Sequence, residues 1–501
     1  MNIQGTAALS TLRRVVGVIS ALGLVGCAGN ETTDVGVANA TLVNPATAVT
    51  APETPKDYVA PQDPAVARHL DELMDQKLGF FVHFGIYSQL GCEASWALVD
   101  STPRFRRAVG WADGDADDFK RRYYDLIRSF NPIAFRPTEW AKLAKRTGFR
   151  YLIFTAKHHD GFCLWDTKTT DYKVTSPACP FSRDSRADIL RQVFDAFRAE
   201  GMMISCYLSK PDFSHPDYWD NRGIGVKTTI EPSYDTAADP ERWRRFCDFV
   251  HRQAIELVRD YGKIDVLWLD SASSVRPEEL REKTRKIRPD LVFVNRYDGD
   301  RCVDFLTPEQ SVPDHPIAVP WECCMTMIDD SNGAGWGYLY DAKYKSVREL
   351  LHLLVDVVAK GGNLALDVPP LPSGRLPEPA VARMEAMGRW LAAHGEAIYA
   401  TRLQSPYRTG DWAYTASKTG TVYAIRLWRE GETATELVLD GFAAEGVRAV
   451  THLATGRDIP CRVKDDGRLI LSLPADLPRD PYADAFRLES WGYILRRFAV
   501  R

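Results

Sequence analysis

The sequence predicts an α/β fold: a (β/α)8-like, TIM-type barrel over residues 63–400, followed by an all-β sandwich over 401–501. Three observations carry this. Short apolar runs alternate with helical patterns through the first region, as a parallel sheet requires. The bodies of those runs are apolar but their C-terminal ends are polar, the pattern of a barrel rim that carries a site. Beyond Tyr399 the helical period stops and short alternating runs take over, as in a sandwich.

In chain order, residues 62–77 read as a helix, with Val66, Leu70 and Leu73 on one face and Met74 beside them. A strand is expected at 80–87, a helix at 138–148 and a strand at 151–157. Ser185 and Asp188 read as a capping box for a helix running to Gly201; 202–208 is the next strand. Asp239-Pro240 opens a long helix to Tyr261, with Asp as cap and Pro in the first turn. The strand at 264–270 is central: Ile264-Asp265-Val266-Leu267-Trp268-Leu269-Asp270, apolar at five of seven positions and ending on a carboxylate. A helix at 277–287, strands at 291–295 and 317–325, a helix at 347–359, a strand at 363–368 and a helix at 379–393 follow. About seven strands are visible, so the barrel has one irregular or hidden stave. No G-x-G-x-x-G follows the first strand, against a dinucleotide-binding sheet. In the sandwich, 421–428, 436–439, 447–453, 469–473 and 486–488 alternate, and Asp466-Gly467 marks a turn.

Residues 1–26 read as a lipoprotein signal peptide and 27–62 as a flexible linker. Arg13-Arg14 precede an apolar run over 15–26, too short to span a bilayer. Leu24-Val25-Gly26-Cys27 resembles a lipobox, which implies lipidation of Cys27 and a membrane anchor. Ala28-Gly29, with no Asp beside Cys27, implies the outer membrane, at the periplasm or cell surface. Nine further cysteines are an odd number and cannot all pair within the chain. None forms a C-x-x-C pair, so neither a zinc site of the usual spacing nor any cofactor is expected. The net charge of −4 gives no footprint for a nucleic-acid partner. Oligomeric state is not legible.

The strand ends bring together His83, Lys157-His158-His159-Asp160, Tyr207, Trp268, Asp270, Asn295-Arg296, Trp321-Glu322 and Asp367. One polar residue at a strand end is usually a cap or turn former; polar ends on seven strands at one rim favour a polar pocket for a ligand rich in hydroxyls. His158-His159-Asp160 offers three metal ligands, but neighbouring strand residues face opposite ways, and no metal is expected.

These same residues resemble glycoside hydrolase family 29, the α-L-fucosidases. Gly79-Phe80-Phe81-Val82-His83-Phe84-Gly85-Ile86-Tyr87-Ser88 is similar to the family's G-x-F-x-H-W-G-x-Y-S, and Thr155-Ala156-Lys157-His158-His159-Asp160-Gly161-Phe162 to its T-A-K-H-H-D-G-F. Trp268-Leu269-Asp270 resembles its W-x-D, and Lys360-Gly361-Gly362-Asn363-Leu364 and Gly395-Glu396-Ala397-Ile398-Tyr399 its late motifs. The resemblance implies a retaining exo-hydrolase acting on fucosylated oligosaccharides, with Asp270 as nucleophile. It implies contacts to sugar from His83, His158, His159, Tyr207, Trp268 and Arg296. Glu93 and Trp96 fall where the family has a Glu-Trp pair, here with two residues between. Thr307-Pro308-Glu309-Gln310 resembles the T-P-E-Q of one branch and makes Glu309 the expected acid/base; Glu322 is the alternative. An exo-hydrolase of a related sugar such as α-L-galactose, or a carbohydrate-binding lipoprotein without catalysis, are the other readings.

Overall fold

The structure, a computed structural model, describes residues 58–107, 115–298, 302–329, 335–439, 444 and 446–490. The expected signal peptide, the lipidation of Cys27 and most of the linker lie outside the described residues.

Seven parallel strands form one sheet: β1 (Leu78–Val82), β2 (Tyr151–Lys157), β3 (Met203–Ser209), β4 (Val266–Asp270), β5 (Val292–Asn295), β6 (Glu322–Thr326) and β7 (Asn363–Asp367). They run in the order β5-β4-β3-β2-β1-β7-β6. The eighth stave is the irregular stretch leading into β6. Asp304 N donates to Phe293 O at 2.9 Å on the β5 side. On the β6 side, Glu322 N donates to Leu306 O and Cys324 N to Pro308 O, at 2.8 and 3.0 Å. The hidden strand of the sequence reading is this segment, which carries Glu309.

Strand alternation decides what faces inward. On β4, Val266 and Trp268 join the barrel's inner cluster, while Leu267 and Leu269 join the outer core beneath the helices. The same alternation turns Phe81, Tyr207, Val292, Val294 and Ala365 inward. Asp270 continues the inner row of β4 at its C-terminal tip. The helix Pro64–Met74 closes the opposite end, with Leu70, Leu73 and Met74 in the inner cluster. Asp63 caps it by accepting from Ala65 N at 2.8 Å.

Several boundaries differ from expectation, each for a local reason. The first strand ends at Val82, because the chain turns into a 3-10 helix at Ile86–Leu90. Asp188 alone caps the helix Ile189–Ala199, accepting from Arg191 N; Ser185 is not its cap. The helix Pro240–Asp260 begins as read, with Asp239 accepting from Arg242 N.

The C-terminal region is a sandwich. Its larger sheet holds β8 (Thr401–Thr409), β9 (Trp412–Ser417), β10 (Val422–Leu427), β12 (Val447–His452) and β15 (Ala483–Ser490); its smaller one holds β11 (Glu436–Leu439), β13 (Cys461–Val463) and β14 (Leu469–Ser472). Val422, Ala424, Phe486 and Leu488 face the smaller sheet, and Tyr423, Ile425, Ala483 and Ala485 face the barrel's core. Both faces of the larger sheet are therefore buried. Trp390 Nε1 donates to Ala483 O at 2.7 Å across that junction. The strands β8, β9 and β13 were not legible in sequence. All nine described cysteines are free thiols.

Candidate active site

A cavity of ≈ 270 Å³ opens at the C-terminal rim of the barrel, with Asp270 on its wall. Asp270 is buried at the end of β4, between β3 and β5. Tyr207 OH donates to its Oδ2 at 2.6 Å and Arg296 Nη1 to its Oδ1 at 2.8 Å. His159 Nε2 lies 3.8 Å from Oδ2. Burial pushes this carboxyl up, but Arg296, His159 and the Tyr207 hydroxyl outweigh it and hold Asp270 below the usual carboxylate range.

Arg296 also reaches Glu309. Its Nη2 donates to Glu309 Oε2 at 2.6 Å, and its Nε donates to Thr307 Oγ1 at 3.1 Å. Its guanidinium lies 4.6 Å from the Trp268 ring. One planar fork therefore spans the two carboxyls, through hydrogen bonds of 2.8 and 2.6 Å. A retaining glycosidase needs two carboxyls flanking one glycosidic bond, and both of these face the same cavity.

The histidines form the opposite wall. His83 Nδ1 donates to Asp367 Oδ1 at 2.9 Å. Burial raises Asp367 to about 6 against the pull of His83. His159 Nδ1 pairs with Ser209 Oγ, whose own proton goes to Pro211 O at 3.0 Å. The ring nitrogen is therefore the donor, and His159 Nε2 is left as an acceptor. Burial lowers His159 to about 4 and His158 well below its ordinary value. Both rings are neutral at neutral pH and can accept from sugar hydroxyls. His158 pairs with Ser95. The expectation that adjacent histidines face opposite ways fails. β2 ends at Lys157, so His158 and His159 lie on the turn beyond it, ring centroids 4.2 Å apart, both on the cavity.

Of the residues expected from sequence, His83, Trp96, His158, His159, Tyr207, Trp268, Asp270, Arg296 and Glu309 line the cavity. Two do not. Glu93 is buried behind the wall, where its Oε2 accepts from Gly335 N at 2.5 Å and braces the turn carrying Trp336. Glu322 is the first residue of β6, at the barrel floor. Tyr151 OH donates to its Oε2 at 2.5 Å and Trp268 Nε1 to its Oε1 at 3.3 Å. Burial pushes it up to about 7. The sequence reading treated it as a strand-end residue, but the strand begins there. Phe81, Ile230, Tyr297 and Trp336 also line the cavity and were missed. Tyr297, next to Arg296, was within reach of the strand-end signal; Trp336, on a Gly-rich turn without period, gave none.

A parallel barrel whose rim holds two carboxyls on either side of one guanidinium, walled by neutral histidines and aromatic rings, defines a glycoside hydrolase. A family model described as Alpha-L-fucosidase matches residues 46–396, and the chain belongs to that family. It is 28% identical over 452 residues to the tissue alpha-L-fucosidase of Homo sapiens, covering 84% of this chain and 89% of that one. Alpha-L-fucosidase isoenzyme 1 from Paenibacillus thiaminolyticus superposes with a TM-score of 0.71 at 27% identity, covering 85% and 99% of the two chains. A GH29 alpha-L-fucosidase from Bacteroides thetaiotaomicron, trapped as a covalent intermediate with 2-fluoro-fucosyl fluoride, superposes at 0.69 with 25% identity over 87% and 98%.

Proposed function

We propose that Asp270 and Glu309 carry the reaction of a retaining, exo-acting α-L-fucosidase that removes terminal fucose from glycans or glycoconjugates. The observation that supports the roles is the single Arg296 fork joining the two carboxyls at one cavity. Asp270, kept ionised, attacks the anomeric carbon as Glu309 gives a proton to the departing oxygen. Glu309 then takes a proton from water, which attacks the same carbon and releases Asp270. The His83, His158 and His159 rings and Tyr207 orient the sugar hydroxyls, and Trp268 flanks the sugar's apolar edge. At ≈ 270 Å³ the cavity falls just below the roughly 300–1,000 Å³ of pockets for larger ligands, which fits one terminal residue rather than a chain interior.

Product followed by NMR on α1,2-, α1,3-, α1,4- and α1,6-linked fucosides tests this. α-Fucose should form first; the β anomer appearing first overturns retention, and no release from any linkage overturns the activity.

Export and anchoring through Cys27 belong to the same proposal, supported by Arg13-Arg14, the apolar run and the Leu24-Val25-Gly26-Cys27 tetrad. Cys27→Ser should move the protein from the membrane fraction to the soluble one, and an unchanged distribution sinks the anchor.

A further inference from the structure

The rim cavity accounts for the sugar that is attacked but not for the group that leaves. Protonation falls on the glycosidic oxygen, so the leaving group must lie on the side of the acid. On that side a second cavity of ≈ 620 Å³ adjoins the first, sharing Ala272, Arg296 and Tyr297 with it. It occupies the barrel's seam. Asn295, from the end of β5, and Thr307, from the eighth stave, both line it. Val303, Phe305, Leu306, Pro308 and Ile317 make most of its lining apolar. Its one charged lining residue among those described, Arg296, is already paired with Asp270 and Glu309.

Tyr297 is the partition between the two cavities, and packing does not explain its position. It has φ 58, in the left-handed region, which a bulky residue adopts only under strain. It is 59% exposed, so burial does not hold it there. Its hydroxyl donates to Glu309 Oε2 and accepts from Arg296 Nη2 at 3.1 Å, while its ring lies 4.6 Å from the Arg296 guanidinium. A strained backbone thus aims an exposed aromatic ring at the acid.

We infer that the seam cavity is the subsite for the leaving group, a neutral sugar residue seated with its C–H face on the Tyr297 ring, and that the Tyr297 hydroxyl positions Glu309 toward the bond between the two cavities. This rests on the fucosidase reading above and adds to it the place and chemistry of the second sugar.

The test compares a fucosyl disaccharide with α-L-fucosyl fluoride. Fluoride departs with the electrons of the C–F bond as Asp270 forms its bond to carbon; it needs no proton and does not extend into the seam. For Tyr297→Ala, the ratio of disaccharide to fluoride kcat/KM should fall about 10–100-fold. Tyr297→Phe keeps the ring and loses the hydroxyl, so its smaller fall should sit in kcat for the disaccharide, with KM unchanged. Ile317→Trp fills the seam and should raise KM for the disaccharide. Ratios within about twofold of wild type for both Tyr297→Ala and Ile317→Trp overturn the subsite. Should Ile317→Trp fail to fold, the two variants at exposed Tyr297 decide alone. A wild-type enzyme that hydrolyses neither substrate overturns instead the fucosidase reading, and this inference with it.

Discussion

The two ends of the barrel bury carboxyls equally well and treat them oppositely. At the rim, Asp270 meets a guanidinium, a phenol and an imidazole and is held below the usual carboxylate range. At the floor, Glu322 accepts from the Tyr151 hydroxyl and the Trp268 indole, and burial, outweighing these bonds and the pull of Arg296, takes it to about 7. Burial alone therefore does not set the charge of a carboxyl; the groups that hydrogen-bond it and the charges beside it do. The two ends communicate through Trp268, which donates to Glu322 at 3.3 Å, stacks on Tyr207 at 5.2 Å and lies under Arg296.

The largest test of this contrast is Asp270→Ala. Its kcat on an aryl fucoside should fall by at least about 10³-fold while fucose binding, followed by calorimetry, is largely kept. Near-normal turnover would leave the rim no more catalytic than the floor. A smaller effect, about 10–100-fold in kcat/KM, is expected for Arg296→Met. Removing the cation removes the attraction that keeps Asp270 ionised, so its pKa rises and the acid limb of the profile moves to higher pH. An unmoved limb would assign the depression to another group.

Glu322→Gln should do least to rate, changing kcat by less than about 10-fold. Its signature is in stability. The folded pKa of about 7 exceeds the ordinary 4.5, so the native state holds its proton more tightly than the unfolded chain. That contribution is full below pH 4.5 and is lost as pH rises through 7, at about 1.4 kcal/mol per unit at most. Gln copies the protonated acid, so the variant should match wild type near pH 5 in denaturant titrations and exceed it near pH 8. Parallel pH dependence in the two proteins would show that the floor carboxyl is ionised after all.

What the sequence disclosed follows the strength of local signals. Asp270 was readable because an apolar strand with a single carboxylate at its tip has few alternatives, and Asp239-Pro240 fixed its helix start by capping chemistry alone. The eighth stave was hidden, because Pro308, which has no N–H to give the ladder to β6, reads in sequence as a strand breaker. Glu322 was misplaced by a register error within one apolar run, and the His158-His159 pair by applying strand alternation one residue beyond the strand. Trp336 owes its place to Glu93 reaching Gly335 from more than two hundred positions away, a contact that no window of sequence contains.

The two proposed catalytic carboxyls are mounted differently. Asp270 ends a strand laddered on both sides, paired with Ser209 on one edge and preceded by the Leu269–Asn295 rung on the other. Glu309 rides a ribbon fastened at its own level along one edge, to Cys324. Lengthening or shortening the chain ahead of Glu309 would therefore move that carboxyl along the rim while the strand that carries Asp270 keeps its ladders.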